Sequence, residues 1–247
     1  MLNPQVIAVS GAENLQVLRD LSTVIETNPS GQCPQPRRYQ AVLVEGDDPR
    51  GLDIGFLVSA EDVQDLYRRV AVLDVTTLAE TESSPHPAGG AEPLFTTPPL
   101  VARLGLTDGS GSSTEFTVVN VKFRELDGAG SPAPGEDGWA TVGEQVMTLR
   151  ARQAAWLAGW LEARQQLDAN EAIAVLGGFD ADAFNDGRVD VMGIVTGQPA
   201  PDSQSWVALP SPLTTPLDNL TELAPAHTRY NANDGGEFRA LDHILVN

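Results

Sequence analysis

The chain has 247 residues, which is enough for a substantial apolar core in one large domain or in two. Its 34 Asp and Glu residues against 15 Lys and Arg residues give a formal net charge of −19, which repels nucleic acid and anionic membranes and favours cations or basic partners. The composition therefore argues against a general nucleic-acid-binding protein, and no apolar run is long enough to predict a membrane span.

Short strand-like runs alternate with two helical segments along the chain. Apolar runs predict eight strands, over residues 6–9, 38–46, 53–58, 70–75, 100–106, 115–123, 173–179 and 240–246. A first helix is predicted from an apolar stripe of Leu15, Leu18, Leu21 and Ile25. A second is predicted over residues 142–167, with a buried side formed by Val146, Leu149, Leu157, Trp160 and Leu161.

Three connections are rich in Gly, Pro and Ser, and they are predicted to be surface loops. They cover residues 80–93, 126–138 and 198–218. None is long enough to mark a domain boundary, and no internal repeat is present. The pattern predicts one α/β domain over residues 1–247, with mixed sheets and long loops.

Two features bear on the compartment. The N-terminal sequence MLNPQVIAVSGAENL lacks the basic region and long apolar core of a signal peptide. Cys33 is the single cysteine, which excludes an intrachain disulfide. Neither feature decides between a secreted and an intracellular protein.

Four segments carry a resemblance when they are taken together and in order. They are VIAVSGAENLQVLRDL, PPLVARLGL with FTVVNVKFREL, RARQAAWLAGWL with AVLGGFDADAFNDGRVDVMG, and TRYNANDGGEFRALDHILVN. These segments resemble the endonuclease/exonuclease/phosphatase (DNase I-like) superfamily, especially its secreted bacterial branch, from about Pro4 to Asn247. The resemblance implies a four-layer α/β/β/α sandwich of two mixed sheets flanked by helices. It also implies phosphoester cleavage with magnesium or manganese, and an extracellular or cell-surface location.

The first two family motifs are altered in this chain. Gly11 stands where the family's strand ends in a metal-binding glutamate, and Glu13 is interpreted mainly as a cap of the first helix. Lys122 stands where the family has its catalytic histidine, or Val121 does if the register differs by one residue. A lysine binds phosphate as a point charge, but it exchanges protons poorly at neutral pH unless its pKa is strongly lowered.

The metal loop of the family is altered as well. Its Gly-Asp-Phe-Asn pattern reads Gly-Gly-Phe-Asp here, so that Gly178 has no side chain where the family has its water-orienting aspartate. Asp180 carries a charge where the family has a neutral amide, while Asp242 matches an aspartate that the family retains. His243 follows Asp242 in a predicted strand and is interpreted as a packed or solvated residue on the other face.

Two further motifs of the family fall beyond the ends of the chain. The opening strand would precede Leu2, and the Ser-Asp-His segment would follow Asn247. Missing strands would leave unpaired backbone, so the chain is expected either to be a piece of a longer polypeptide or to gain strands from a partner chain. The sequence thus predicts a protein partner, a homo-oligomer or a fibre, with no nucleic-acid or membrane partner.

Together these departures predict a catalytically inactive protein that needs no cofactor and serves as a binding or assembly module. The alternative is a weak divalent-metal-dependent phosphodiesterase, nuclease or phosphatase. In that case Asp180 and Asp242 would be the metal ligands and Lys122 would hold phosphate.

A structural calcium site is a weaker hypothesis for the acidic loop. Its candidate ligands are Asp180, Asp182, Asp186 and Asp190, whose carboxylates suit calcium. The loop does not fit the EF-hand pattern, and a solvated turn explains it as well. The three histidines, His86, His227 and His243, lie far apart in the sequence without zinc-ligand spacing.

Overall fold

The structure is a computed structural model that describes residues 4–28, 31, 37–46, 48, 50–63, 67–234 and 236–247, so that Leu2 and Cys33 lie outside the described residues. Among these residues the chain forms α1 (Leu15–Thr27), α2 (Val142–Leu167), α3 (Val191–Thr196) and three short 3-10 helices, Asp202–Gln204, Leu220–Leu223 and Ala226–Thr228. The strands are β1 (Val6–Ala12), β2 (Tyr39–Leu43), β3 (Asp53–Ser59), β4 (Asp62–Val63), β5 (Tyr67–Arg68), β6 (Val70–Thr77), β7 (Ser83–Pro85), β8 (Ala91–Pro93), β9 (Leu100–Thr107), β10 (Ser113–Lys122), β11 (Ile173–Gly178), β12 (Asp218–Asn219), β13 (Ala232–Asp234), β14 (Glu237–Arg239) and β15 (Asp242–Val246). All eight predicted strands are present, and α2 has its predicted bounds.

The chain divides into two compact units that interleave along the sequence. Unit 1 comprises Met1–Leu78, Thr97–Val121 and Ala172–Gly177, and unit 2 comprises Ala79–Thr96, Lys122–Glu171 and Gly178–Asn247. That the whole chain forms one domain stays a prediction.

Unit 1 contains two groups of strands. In the first group β3 lies between β1 and β2, and both pairings are antiparallel. In the second group the strands are neighbours in the order β11-β10-β9-β6, with β9 antiparallel to both β6 and β10. Two sheets of this kind can bury apolar side chains between them, and β3 is buried along its whole length.

The core of unit 1 follows from the two faces of β3. Ile54, Phe56 and Val58 share one face, because side chains two apart point the same way, and they pack with buried residues of β6, β9 and β10. Leu57 points to the opposite face and packs against Leu18 of α1. Unit 1 is therefore layered as helix, sheet and sheet.

The buried side of α1 differs from the predicted stripe. Leu18 is buried as predicted, but Leu21 is exposed and Ser22 is buried, where its hydroxyl donates to the Tyr39 carbonyl at 2.7 Å. Ser22 lies one turn after Leu18 and so returns to the same face, while Leu21 falls at the edge of that face. The predicted place of Leu21 in the buried stripe is therefore wrong.

Unit 2 contains α2, α3 and several short strand pairs. The Thr141 hydroxyl accepts from the Glu144 N–H at 3.0 Å, so α2 begins where the sequence changes from loop to helix. The segment 80–93, predicted to be a loop, instead contains the antiparallel pair β7 and β8. The short elements α3, β12, β13 and β14 were not predicted, since each is too short to show a period. In the described part of the chain, no helix is long and apolar enough to cross a membrane.

Candidate functional site

Acidic and basic side chains of unit 2 collect where β10 and β11 end and β15 begins. The N–H groups of Phe179 and Asp180 both donate to the Leu241 carbonyl, at 3.0 and 3.1 Å. The Phe123 N–H donates to the Gly178 carbonyl at 2.9 Å. These backbone bonds hold the segment from Gly178 to Asp180 beside the residue that precedes Asp242.

Gly178 faces the Asp242 carboxylate. A Cβ atom built on Gly178 would lie 3.3 Å from Asp242 Oδ1, and this is its only neighbour within 4 Å. The φ angle of Gly178 is not in the left-handed region, so its backbone does not require glycine. A side chain at position 178 would therefore be in close contact with the Asp242 carboxylate and open on its other sides.

Arg150 of α2 binds the backbone of the segments that carry Arg124 and Asp180. Its side chain is only 1% exposed, and its guanidinium donates to the carbonyls of Arg124, Phe179 and Asp180, the last at 2.7 Å. Burial lowers the pKa of Arg150 to about 10, so the group stays charged at neutral pH. Among the described residues no carboxylate forms an ion pair with it.

Asp180 has an unusual backbone and an unusual carboxyl group. Its φ of 51° lies in the left-handed region, which few residues other than glycine adopt and which clusters at functional sites. Burial raises the pKa of Asp180, Arg150 opposes that rise, and the charges of Glu125 and Asp242 add to it. The Asp180 carboxyl group therefore has both acidic and basic side chains as charged neighbours.

Asp242 shows the same direction of shift. Burial of its carboxyl group raises the pKa, and the neighbouring His243 opposes the rise, although part of the Asp242 side chain reaches solvent. Asp180 and Asp242 are thus two carboxylates whose ionised forms are disfavoured by the protein alone. A cation beside them would favour the ionised forms.

A groove of about 670 Å³ opens over Asp180. Its lining residues are Glu125, Leu126, Asp127, Gly128, Asp180, Arg188, Arg239 and Leu241. Arg239 is bound to Asp182, with Nη2 at 2.6 Å and Nε at 3.2 Å from the same carboxylate oxygen. The groove therefore presents carboxylates and guanidinium groups together.

The other altered family positions lie as follows. Lys122 is the last residue of β10 and is partly buried. Gly11 lies in β1 of unit 1 with a φ of 79°, a conformation that suits glycine. Glu13 does not cap α1, because the Asn14 side chain accepts from the Val17 N–H at 3.0 Å, and the capping role predicted for Glu13 is wrong.

The carboxylates of the calcium hypothesis mostly have other partners. Asp182 binds Arg239, and Asp186 accepts from the Arg188 N–H at 2.9 Å. Asp190 caps α3 by accepting from the Gly193 N–H at 3.0 Å. Within the described ranges no three His, Cys, Asp or Glu side chains are grouped so that they could hold a metal ion.

His243 is a packed strand residue, the first of its two interpretations. It is buried, and its Nε2 lies 2.7 Å from the Ala181 carbonyl, to which it donates. Its Nδ1 therefore accepts from Asn219 Nδ2 at 3.1 Å, and the ring packs against Phe179. These contacts support the segment that carries Asp180.

Sequence reasoning missed Glu125, Arg150, Arg188 and Arg239. Only Arg150 had a usable signal, since a charged residue on the apolar side of a predicted helix needs a buried partner. The other three lie in loops or in a short strand, and only the folded chain brings them to the groove.

No family model and no curated protein matches this sequence. Solved structures do match it. A truncated TDP2 from Caenorhabditis elegans is 9% identical with a TM-score of 0.53, covering 99% of this chain and 71% of its own. A humanized D. rerio TDP2 with 14 mutations is 12% identical with a TM-score of 0.52, covering 99% and 70%. An endonuclease/exonuclease/phosphatase family protein from Bacteroides thetaiotaomicron is 12% identical with a TM-score of 0.48, covering 98% and 67%.

At these identities the similarity concerns the fold. The predicted fold class, α/β with mixed sheets flanked by helices and of the DNase I-like kind, is confirmed. The narrower resemblance to a secreted bacterial branch stays a prediction.

The same neighbours correct the prediction that the chain is not an enzyme. Neighbours that share this fold contradict the prediction of a pseudoenzyme, and that prediction is wrong. That prediction counted side chains lost at single positions, such as Gly178. It left out the charged groups that the fold brings to the same place from Glu125, Arg150 and Arg239.

Proposed function

We propose that the chain is a divalent-metal-dependent phosphoester hydrolase, acting as a phosphodiesterase, nuclease or phosphatase. The observation that carries this proposal is the pair Asp180 and Asp242, two neighbouring carboxylates with raised pKa values, the first of which lines an open groove. Perturbed carboxylates in a groove are typical of functional sites. The fold is one on which this chemistry occurs, which adds support by analogy.

The donor set fits magnesium or manganese. These ions are held by one or two protein carboxylates and keep several waters and substrate oxygens in their shell. Asp180 and Asp242 would supply the two carboxylates, and the cation would offset the desolvation that raises their pKa values. When bound, such an ion polarises a phosphoryl oxygen and makes a neighbouring water more acidic.

The remaining steps fall to the side chains around the groove. Lys122 would bind a phosphoryl oxygen as a point charge. Glu125, whose charge acts on Asp180, would accept a proton from the attacking water. Water adds to phosphorus, the bond to the leaving oxygen breaks, and that oxygen departs with the electron pair.

Arg150 would keep this arrangement in place without touching the substrate. It holds three carbonyls at the ends of β10 and β11, and so fixes the left-handed backbone of Asp180. A group positioned by buried hydrogen bonds loses little entropy when the reaction occurs. Arg150 is therefore a positioning residue.

Hydrolysis of bis(p-nitrophenyl) phosphate with magnesium or manganese tests the proposal. We expect a rate that a chelator abolishes and that Asp180→Asn lowers on the order of a hundredfold, the scale of losing one electrostatic contact in a site. Asp202→Asn, on an exposed 3-10 helix of unit 2, is the matched control and should keep the rate. A rate that survives chelation, or no rate with either metal, contradicts the proposal.

Association and location remain proposals that rest on the family resemblance. Self-association or strand addition by a partner chain, and an extracellular or cell-surface location, follow from that resemblance. Sedimentation of the chain over a range of concentrations tests association. A single monomeric species throughout would contradict self-association.

A further inference from the structure

Among the described residues, the guanidinium group of Arg188 differs from that of Arg239 in having no hydrogen-bond or ion-pair partner. Arg239 is bound to Asp182, and the two charges compensate each other. Arg188 is exposed, and no hydrogen bond or ion pair of its guanidinium is found among the described residues. Within the described residues, Arg188 is therefore the cation of the groove lining that forms no ion pair.

The backbone that carries Arg188 is held from both sides. Its N–H donates to the Asp186 carboxylate at 2.9 Å, and its carbonyl accepts from the Val207 N–H at 2.9 Å. The neighbouring Gly187 carbonyl accepts from the Trp206 N–H at 3.0 Å, and Val189 on the other side is buried. A guanidinium on a fixed backbone loses less freedom on binding an anion than one on a mobile loop.

The size and charge of the surroundings limit what this cation can bind. A groove of about 670 Å³ lies within the range of small-molecule sites. Its rim carries Glu125 and Asp127, and the chain as a whole has a net charge of −19. A long polyanion would be repelled along its whole length, whereas a compact phosphoester meets that repulsion only at the groove.

We infer that Arg188 anchors an anionic group of a small, soluble phosphoester, and that the groove selects such compact substrates over polynucleotides. A guanidinium suits this task, because its planar fork can donate two hydrogen bonds to one phosphate. The inference rests on the proposed function for its reaction, but the binding step can be measured without turnover.

Calorimetric titration with inorganic phosphate, at saturating magnesium, tests the anchoring role. We expect Arg188→Gln to weaken phosphate binding by about tenfold to a hundredfold, the scale of a hydrogen bond to a charged group. Arg103→Gln removes the same charge from an exposed residue of β9 in unit 1 and should leave the affinity unchanged. Equal phosphate affinities for the wild type and Arg188→Gln would overturn the anchoring role.

Displacement of bound phosphate tests the substrate class. Thymidine monophosphate should displace it at lower concentration than a single-stranded oligodeoxynucleotide, counted per phosphate group. An oligodeoxynucleotide that displaces it as well or better would overturn the choice of compact substrates. A chain that binds phosphate through Arg188 but hydrolyses no phosphoester would contradict the proposed reaction and leave the anchoring role intact, so the two failures are distinguishable.

Discussion

The two units differ in what their buried side chains do. In unit 1 the core between the strands is mainly a cluster of aliphatic residues and Phe56, to which the buried Asn120 amide adds hydrogen bonds to the carbonyls of Val9 and Gly55. In unit 2 the buried residues include Arg150 and His243, whose polar atoms bind the carbonyls of the loop that carries Asp180. Apolar burial therefore stabilises unit 1, while hydrogen bonds from buried polar groups decide the local structure of the site in unit 2.

The largest expected effect concerns the apolar core. Phe56 is 0% exposed in unit 1, so Phe56→Ala should lower the free energy of unfolding by about 3–5 kcal/mol through lost burial and a cavity. Val24→Ala, at an exposed position of α1 in the same unit, should change it by less than about 0.5 kcal/mol. Denaturant titration measures both. Similar losses would mean that the core of unit 1 is not the source of its cohesion.

Arg150→Met tests the hydrogen bonds from a buried side chain in unit 2. Methionine fills much of the space, but it leaves the carbonyls of Arg124, Phe179 and Asp180 without a donor, and we expect a loss of about 2 kcal/mol. Arg164→Met, at another position of α2, breaks a partly exposed ion pair with Glu171, which lies beyond the end of the helix, and should cost less than about 1 kcal/mol. If Arg150→Met is no worse than its control, these hydrogen bonds do not hold the site.

Gly178→Asp should strengthen the candidate site. The new carboxylate would lie beside Asp242, and a third oxygen ligand should raise the affinity for magnesium or manganese about tenfold. Gly130→Asp adds the same charge at an open position of unit 2 and should leave the affinity unchanged. Calorimetry compares the two variants. An unchanged metal affinity in Gly178→Asp would show that the metal does not bind beside Asp242.

The smallest expected effect is the pH dependence that Asp180 contributes. Because burial raises its folded pKa above the ordinary 3.8, the folded chain binds more protons than the unfolded chain in the range above 3.8. Stability from this group is therefore highest at low pH and falls as the pH rises through that range. Asp180→Asn should remove this fall and be more stable at neutral pH by about 1 kcal/mol.

Unfolding measured between acidic and neutral pH checks this prediction, with the exposed Asp202→Asn as the control. Added magnesium should reduce the difference in the free energy of unfolding between the wild type and Asp180→Asn, because the cation stabilises the ionised carboxylate. Parallel pH profiles for the wild type and Asp180→Asn would show that burial of this carboxyl group has no energetic effect.

The fold of the strands was largely predictable, and the site was not. β3 and β9 are short, mostly apolar runs that are buried over most of their length, so the sequence predicts these strands within a few residues. The groove depends instead on contacts between distant residues, such as Arg150 with Asp180 and Arg239 with Asp182. The local hydrophobic pattern of a sequence carries no information about such pairs. The prediction of an inactive protein therefore depended too heavily on the missing side chain at Gly178.

Asp180 and Asp242 also show which properties of the site could not be predicted from the sequence. Their side chains were identified from family positions, but their raised pKa values come from burial and neighbouring charge, which depend on packing. The left-handed backbone of Asp180, whose carbonyl accepts from Arg150, was likewise not predicted, because Asp tolerates this conformation without signalling it in the sequence.

The measurement that tests the central claim most directly is manganese binding to the wild type, Asp180→Asn and Asp242→Asn. Electron paramagnetic resonance detects the binding. We predict that the wild-type chain binds manganese, that magnesium displaces it, and that each substitution weakens the binding. No binding in the wild type, or binding that neither substitution changes, would contradict a metal site at Asp180 and Asp242.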